Sequence, residues 1–464
     1  MRISIVGTGY VGLVSGVCLA EKGHDVVCVD VDQAKVEQIN AGEPPIHEAG
    51  LKELLRNNLK RTFRATTDLR AAVLDSDLSL IAVGTPFDGD EIDLRFIREV
   101  ASQIGAVLKD KPAYHAVVVK STVVPGTTDG VVLPLLEQAS GKKAGRDFGV
   151  GMNPEFLREG EAVRDFLSPD RIVLGAMDDR TASLLEELYL PFTGVDQLRT
   201  NPRTAETIKY AANSLLATLI SFSNEIGNLC AAVGEVDVVE VMRGVHLDKR
   251  LSPILPDGRR IKPAITTYLE AGCGFGGSCF PKDVKALIAH GAKTGSAMRL
   301  LNAVIEVNAA QPHKVLALLR RNFPVLAGVR VSVLGLAFKP GTDDMRESPA
   351  IPIVNELLAG SALVRAFDPV AREAARKIFG NGQLAFSETL SDAIHDAQAI
   401  LLLTRWPEFN ELPRLLKDLP EQPLLIDGRR MLDKRMVARY EGVGLGGNGH
   451  DLALHLHAAD ANPR

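Results

Sequence analysis

With 464 residues, 46% of them hydrophobic and 24% charged, the chain is long enough for about three domains and a large core. A formal net charge of -5 without a basic stripe argues against nucleic acid as the main partner, and no uninterrupted apolar run reaches the ~18 residues of a membrane span. Residues 1 to 12 read as strand and turn rather than as a signal peptide, and the odd set of five cysteines lacks metal-ligand spacing, so a cytoplasmic protein with reduced thiols and no bound metal is expected.

Residues 2 to 6, Arg-Ile-Ser-Ile-Val, feed into Gly7-Thr-Gly9-Tyr-Val-Gly12 and then a helical stretch. In this order of strand, glycine turn and helix, the first glycine permits the tight turn. The second lets backbone approach a pyrophosphate, and the third lets the helix pack on the strand. The glycines alone are weak evidence, but Asp25-Val-Val-Cys-Val-Asp30 adds a second strand ending in an acid 23 residues after Gly7. A carboxylate there takes the ribose hydroxyls of an adenosine and repels a 2'-phosphate, so NAD is expected rather than NADP.

Short buried-strand runs follow at Leu78–Val83 and Ala116–Val119, with Gly84-Thr85-Pro86 after the first and Ser121-Thr122 after the second. Ligands of open parallel sheets bind beyond the carboxyl ends of the strands, so Thr85 and Thr122 are expected to face the cofactor. A further strand, 148 to 152, leads into Asn153-Pro-Glu-Phe-Leu-Arg-Glu159, where Glu155 and Glu159 lie four apart.

From Asn201 to Gly234 the spacing predicts one long helix, capped by Asn201, begun by Pro202 and ended by Gly234. Ile208, Ala212, Leu215, Leu219, Phe222, Ile226, Leu229 and Val233 make an apolar stripe along it. Lys209 and Asn213 share another face, which on this stretch alone reads first as a solvated one. Leu251 to Pro263 reads as an exposed loop rich in Pro, Gly and Arg. Beyond it, Gly272-Cys-Gly-Phe-Gly-Gly-Ser-Cys279-Phe-Pro-Lys-Asp283 crowds glycines before a cysteine at the start of a helix. The helix dipole and Lys282 would favour a thiolate there, making Cys279 a nucleophile candidate beside the alternative of a structural cysteine in a turn.

Residues 330 to 335, Arg-Val-Ser-Val-Leu-Gly, nearly repeat residues 2 to 7, and Val364-Arg-Ala-Phe-Asp368 echoes the strand ending at Asp30. This is an internal duplication of the α/β domain, completed by strands at 399 to 403 and 424 to 427. The second copy carries Leu336-Ala-Phe-Lys339-Pro in place of the glycine pattern, so it should bind something other than a second dinucleotide, and Lys339 and Arg346 suit phosphates or carboxylates. The chain beyond Gly442 shows no periodicity.

Together these motifs resemble the nucleotide-sugar 6-dehydrogenases, most closely the enzymes acting on UDP-glucose. The residues that carry the likeness are Gly7-Thr-Gly-Tyr-Val-Gly12, Val83-Gly-Thr-Pro86, Lys120-Ser-Thr122, Asn153–Glu159, Lys209-Tyr-Ala-Ala-Asn213, Gly274–Asp283, Phe338–Arg346 and Asp427-Gly-Arg429. The resemblance implies an α/β fold of two Rossmann-like parallel-sheet domains joined by a long central helix that forms the core of a homodimer or higher homo-oligomer. The implied boundaries are 1–200 for the NAD domain, 201–310 for the helical dimerisation region with the cysteine loop, 311–445 for the nucleotide-sugar domain, and 446–464 for a tail.

The same resemblance implies roles. Cys279 would be the nucleophile, Lys209 and Asn213 would hold the reacting oxygen, Asp283 and Thr122 would bind a catalytic water, and Glu155 would be the base for thioester hydrolysis. NAD would contact Gly7, Gly9, Tyr10, Val11, Gly12, Asp30, Lys35, Thr85, Thr122, Glu159 and Arg346. The nucleotide sugar would contact Glu155, Phe156, Leu157, Lys209, Asn213, Tyr268, Leu269, Gly276, Lys339 and Arg429, with Arg250 reaching in from a partner subunit. An insertion between Arg250 and Tyr268 departs from the family and makes Arg260 the alternative to Arg250. The implied reaction is a two-step, four-electron oxidation of a sugar C6 hydroxyl to a carboxylate by NAD. Gly141–Gly151 looks like the GDP-mannose enzymes, whereas Ser168–Val173 and Gly244–Arg250 look like the UDP-glucose enzymes, which are favoured, with GDP-mannose or a UDP-N-acetylhexosamine as the alternative substrate. A single-step hydroxyacid dehydrogenase would use Lys209 and Asn213 but leave Cys279 and the second α/β domain without a task.

Overall fold

The computed structural model describes residues 1–380, 382 and 384–447. The tail expected at 446–464 therefore lies, beyond residue 447, outside the described residues. The chain divides into two compact units, Met1–Ala212 with Ala289–Ser296, and Asn213–Ile288 with the chain from Ala297 onward.

The first unit is built on eight strands, β1 (Arg2–Val6), β2 (Asp25–Val29), β3 (Phe63–Thr66), β4 (Leu78–Ile81), β5 (Ala116–Val119), β6 (Gly149–Met152), β7 (Arg171–Ala176) and β8 (Asp196–Thr200). Their order is β3-β2-β1-β4-β5-β6-β7-β8, parallel throughout except that β7 runs antiparallel to β6. Alternate residues of one strand enter different cores. Leu78 and Leu80 join one cluster with Ala116 and Val118, while Ile81 joins another with Val117 and Val119. Strands buried on both faces read as unbroken apolar runs, which is why β4 and β5 are legible in the sequence. β8 is mostly exposed and polar, and leaves no such trace.

The chain leaves β1 toward β2 on one side, while β4 lies on the other, so Gly7 sits at the switch point where open α/β sheets bind ligands. Its φ of +103° and the Ala82 carbonyl oxygen, 2.6 Å from where a Cβ would stand, both require glycine.

Among its described residues the second unit carries six strands, β9 (Arg330–Leu334), β10 (Leu363–Phe367), β11 (Ala385–Phe386), β12 (Ala399–Leu402), β13 (Leu424–Asp427) and β14 (Tyr440–Gly442). They form one parallel sheet ordered β11-β10-β9-β12-β13-β14. Gly335 repeats Gly7, with φ +90° and Thr404 directly behind it. The echo of Asp30 is also kept. Asp368 is buried and accepts from the backbone N–H groups of Leu336 (2.7 Å), Ala337 (3.0 Å), Val370 (2.9 Å) and Ala371 (2.8 Å) and from Trp406 Nε1 at 3.1 Å.

The long helix spans Pro202–Val233, with Asn201 Oδ1 accepting from Thr204 N at 2.9 Å as its cap. Its burial differs from the amphipathic expectation. The polar face is the inner one, with Glu206, Lys209, Asn213, Ser221 and Asn224 all buried, while Leu215 (54%), Phe222 (46%), Leu229 (58%) and Val233 (54%) of the apolar stripe are exposed. By length and composition this helix could cross a membrane. Its buried Lys209 and Asn213, each on a protein carboxylate, instead mark a core helix. The expected loop at 251 to 263 is a short hairpin, with an antiparallel bridge between Ile254 and Arg260 and Leu255 N donating to Arg259 O at 2.8 Å.

Candidate active site

At the carboxyl ends of β1 and β2 the glycine fingerprint takes the form its spacing predicts. Gly12 is closed against the Gly7 carbonyl, where a Cβ would overlap the oxygen, whereas Gly9 has nothing within 4 Å of its Cβ position. The helix Tyr10–Glu21 starts there with no acid in its first turn, so its positive end faces free space beside Gly9. Asp30 stands just beyond β2. Burial alone would raise its pKa, but Thr8 N (2.9 Å), Thr8 Oγ1 (2.5 Å) and Asp32 N (3.1 Å) donate to it, and with the charge of Lys35 they hold the carboxyl below its ordinary value. An open approach to backbone donors and an ionised acid beyond β2 fit a dinucleotide with free ribose hydroxyls.

Other expected cofactor contacts have partners of their own. The Tyr10 hydroxyl donates to Glu48, a buried acid that also accepts from Gly160 N (2.8 Å) and Ala162 N (2.9 Å). Burial and Glu48 raise the Tyr10 phenol, and Glu159 lies near enough to add to the shift. Val11 is half-buried in the first turn of the helix. Thr85 Oγ1 donates to the Thr122 carbonyl at 2.7 Å and Ser121 Oγ to the Val83 carbonyl at 2.7 Å, so the loops after β4 and β5 are cross-linked. Arg346, expected at the cofactor, belongs to the second unit and makes a bidentate pair with Asp344, Nη2 at 2.7 Å.

Also in the first unit, Glu155 and Lys209 form a buried ion pair at 3.0 Å, with side chains 6% and 4% exposed. Burial would push the Glu155 pKa up. Lys209, the Leu157 N–H at 2.6 Å and the charge of Lys120 outweigh it and hold Glu155 below the usual carboxylate range. Phe156 lies under both cations nearby, 3.8 Å from Arg171 and 5.5 Å from Lys209. Lys120, which sequence reasoning left as part of a motif, is buried with its Nζ 2.9 Å from Asn153 Oδ1, and burial pushes it down to about 8. A lysine directly after the Ala116–Val119 run was the available signal, because a strand end buried on both faces takes its last side chain inside.

In the second unit Cys279 immediately precedes the helix Phe280–Lys293, its carbonyl accepting from Asp283 N at 2.8 Å and its Sγ 3.5 Å from Ser278 Oγ. Of the five cysteines it alone is partly exposed. Burial pushes the thiol of Cys18 up to about 12 and those of Cys28, Cys230 and Cys273 upward as well, so these four are inert packing. Asp283, 1% exposed, accepts from Asn213 Nδ2 at 2.6 Å and from Lys282 Nζ at 2.6 Å. This modifies the expected role of Lys282. Its charge is paired with Asp283, while Cys279 itself stands at the positive end of the helix.

The glycine loop before the cysteine is pinned from several sides. Asn224 Oδ1 accepts from Gly272 N (2.7 Å), Gln311 Nε2 donates to Gly272 O (3.1 Å), and Asn308 makes a reciprocal pair with the Phe275 backbone (2.7 and 3.0 Å). These three amides were missed in the sequence. The three-residue step from Asn308 to Gln311 is their only trace. A Cβ on Gly276 would overlap the Glu347 carbonyl, and Gly277 has φ +85° with the Phe338 ring 2.8 Å from its Cβ position. Arg429 donates to Leu403 O (2.6 Å) and Gly274 O (2.8 Å), so it ties the loop after β12 to the glycine loop. Lys339 lies 5.9 Å from the Phe338 ring. Tyr268 stacks near Phe280 at 6.3 Å, and Leu269 is buried. The two arginines left as alternatives differ. Arg260 Nη1 donates to Leu247 O and Ser252 O, both at 2.8 Å, stapling the hairpin, while Arg250 projects, with 89% of its side chain exposed, folded only onto neighbouring Asp248.

A dinucleotide fingerprint with an ionised ribose-type acid, a buried lysine on a carboxylate, and a partly exposed thiol at a helix start define an NAD-dependent dehydrogenase with a second, non-dinucleotide α/β sheet. Models of the UDP-glucose/GDP-mannose dehydrogenase family match this chain with the NAD binding domain at residues 1–193, the central domain at 203–310 and the UDP binding domain at 332–434. The chain belongs to that family and is an NAD-dependent nucleotide-sugar 6-dehydrogenase. It is 44% identical to UDP-glucose 6-dehydrogenase AglM of Haloferax volcanii over 96% of this chain and 100% of that protein. It is also 40% identical to the GDP-mannose 6-dehydrogenase of Azotobacter vinelandii, over 96% and 100% respectively. Among solved structures, a UDP-glucose dehydrogenase from Pyrobaculum islandicum aligns with a TM-score of 0.86 at 40% identity, covering 96% of this chain and 98% of that one.

Proposed function

We propose that the substrate is UDP-glucose and that its C6 hydroxyl is oxidised to a carboxylate through a thioester on Cys279. The alcohol loses a proton and a hydride, giving an aldehyde and one NADH. The Cys279 thiolate adds to the aldehyde carbon, a second hydride passes to a second NAD, and water cleaves the resulting thioester to acid and thiol. Lys209 and Asn213 serve the reacting oxygen, Asp283 and Thr122 a water, and Glu155 the hydrolysis as base. The observation that carries the covalent step is the exposure of Cys279 alone among the thiols, at a helix start and next in sequence to a pinned glycine loop. For the sugar, the supporting observation is the 44% identity to a UDP-glucose enzyme, and the 40% identity to a GDP-mannose enzyme sustains GDP-mannose as the second reading.

The division into 1–200, 201–310 and 311–445 belongs to the same proposal, as does a cytoplasmic homodimer. Leu215, Phe222, Leu229 and Val233 leave an apolar stripe on the long helix for a second copy to cover. Arg250, projecting where Arg260 is tied down, is our choice for the arginine that reaches the partner's substrate. The deciding experiment offers the purified protein UDP-glucose, GDP-mannose and UDP-N-acetylhexosamines separately and counts NADH. Two NADH per UDP-glucose is expected. Turnover of GDP-mannose alone refutes the sugar, and one NADH per sugar refutes the two-step course.

A further inference from the structure

The loop that carries Thr122 ends in a Pro-Gly turn. Thr127 N donates to Val124 O at 3.1 Å around Pro125 and Gly126, and Gly126 has φ +91°, as a type II turn requires. Beyond it the chain enters a π-helical turn, Thr128–Val132. Into this bend, from the first turns of the long helix and three residues before Lys209, comes Glu206. Its side chain is fully buried. Its two oxygens accept from Gly126 N (2.6 Å), Thr128 N (2.8 Å) and Thr128 Oγ1 (2.6 Å). No role considered above uses this carboxylate.

We propose that Glu206 is a positioning residue for the reaction: its carboxylate docks the Thr122 loop onto the helix that carries Lys209, and turnover depends on that dock. The inference rests on the reading that Thr122 and Lys209 serve the chemistry. The geometry makes the dock specific to the ionised form. Three donors converge on two oxygens that have only acceptor capacity when charged, whereas a protonated carboxyl brings an O–H of its own that needs an acceptor. The neighbouring charges do not neutralise the carboxylate. Asp129 of the π-helical turn repels it. Arg203, on its own helix, is taken by Asp129 at 2.7 Å, and Lys209 by Glu155 at 3.0 Å. Burial, with Asp129 adding to it, pushes the carboxyl up to about 7 against the three hydrogen bonds. The dock is therefore complete above neutrality and loosens as pH falls through that range.

The test compares the full-length protein with Glu206→Gln, Glu206→Asp and Thr122→Ala, measuring kcat and KM from pH 6 to 9 and amide hydrogen exchange across residues 121 to 128. For Glu206→Gln we expect kcat to drop tenfold or more at pH 8 with KM for NAD and nucleotide sugar within twofold, exchange in 121 to 128 to rise at least tenfold, and the acid limb of the kcat profile to vanish. Glu206→Asp should keep the acid limb and fall between the two. A Glu206→Gln protein with normal exchange and a normal kcat profile overturns the dock. So does one whose melting temperature and NAD affinity fall together with kcat, which is loss of structure at large. If Thr122→Ala turns over normally, the assigned role of Thr122 fails, while the exchange data still decide the dock.

Discussion

Lys209→Met is the most informative single change, because it removes one partner of a pair whose two side chains are 4% and 6% exposed. Leaving a buried carboxylate without its cation costs about 3–5 kcal/mol. For a unit of this size that corresponds to a fall of roughly 6–20 °C in melting temperature. The pH dependence carries the sharper signature. In the unaltered protein Glu155 is held below its ordinary value, so its contribution is present above the unfolded glutamate range and is lost as pH falls through the folded pKa. Without Lys209 the balance tips to burial and the carboxyl rises. The variant's deficit should then be present already near pH 4.5 and widen toward pH 8, because ionising the buried acid opposes folding. Adding Glu155→Leu to Lys209→Met should recover most of the loss, since replacing both charges by apolar groups is nearly neutral. Scanning calorimetry from pH 4.5 to 8 makes the measurement. A deficit that does not vary with pH, or a double variant that melts no higher than the single one, refutes the reasoning.

Cys279→Ala should keep nucleotide-sugar binding and lose acid production by several orders of magnitude, whereas Glu155→Gln should slow hydrolysis and let a sugar nucleotide accumulate on Cys279, visible by mass spectrometry of the intact protein. Near-normal acid formation by Cys279→Ala contradicts the covalent course. Asp30→Ala should weaken NAD by tenfold or more and narrow its advantage over NADP, measured as the ratio of the two kcat/KM values. Equal use of both cofactors by the unaltered protein contradicts the assigned role. Leu229→Asp with Phe222→Asp should shift sedimentation toward monomer, and an active monomer in the unaltered protein removes the helix interface.

The sheets were legible where strands are buried on both faces. β1, β2, β4, β5, β9, β12 and β13 read as apolar runs, and the glycine fingerprint named its own ligand. β3, β7, β8, β11 and β14 were not read, because short, polar or edge strands carry little pattern. The long helix was placed correctly in extent, yet the face of Lys209 and Asn213, which on that stretch alone reads as solvated, is buried. Periodicity reports which residues share a face but not whether core or partner covers it. Glu206, Lys209, Asn213 and Asn224 are buried because loops distant in sequence bring donors and acceptors to them. Arg346 came from the resemblance alone, and its partner two residues back, Asp344, was not read from the sequence.

The second sheet keeps the acid of the first but gives it other work. Asp30 is half-buried and accepts from Thr8 and Asp32. Asp368 binds four backbone N–H groups and an indole, closing the turn over the place where a cofactor would lie. After a gene duplication, a copy freed from its ligand can turn a recognition residue into internal mortar, and the change is hard to reverse. Grafting Gly-x-Gly-x-x-Gly onto residues 335 to 340 would restore the letters of a nucleotide site while its carboxylate stays occupied. An engineer seeking a second cofactor here would have to rebuild the loops after β9, β10 and β12 together.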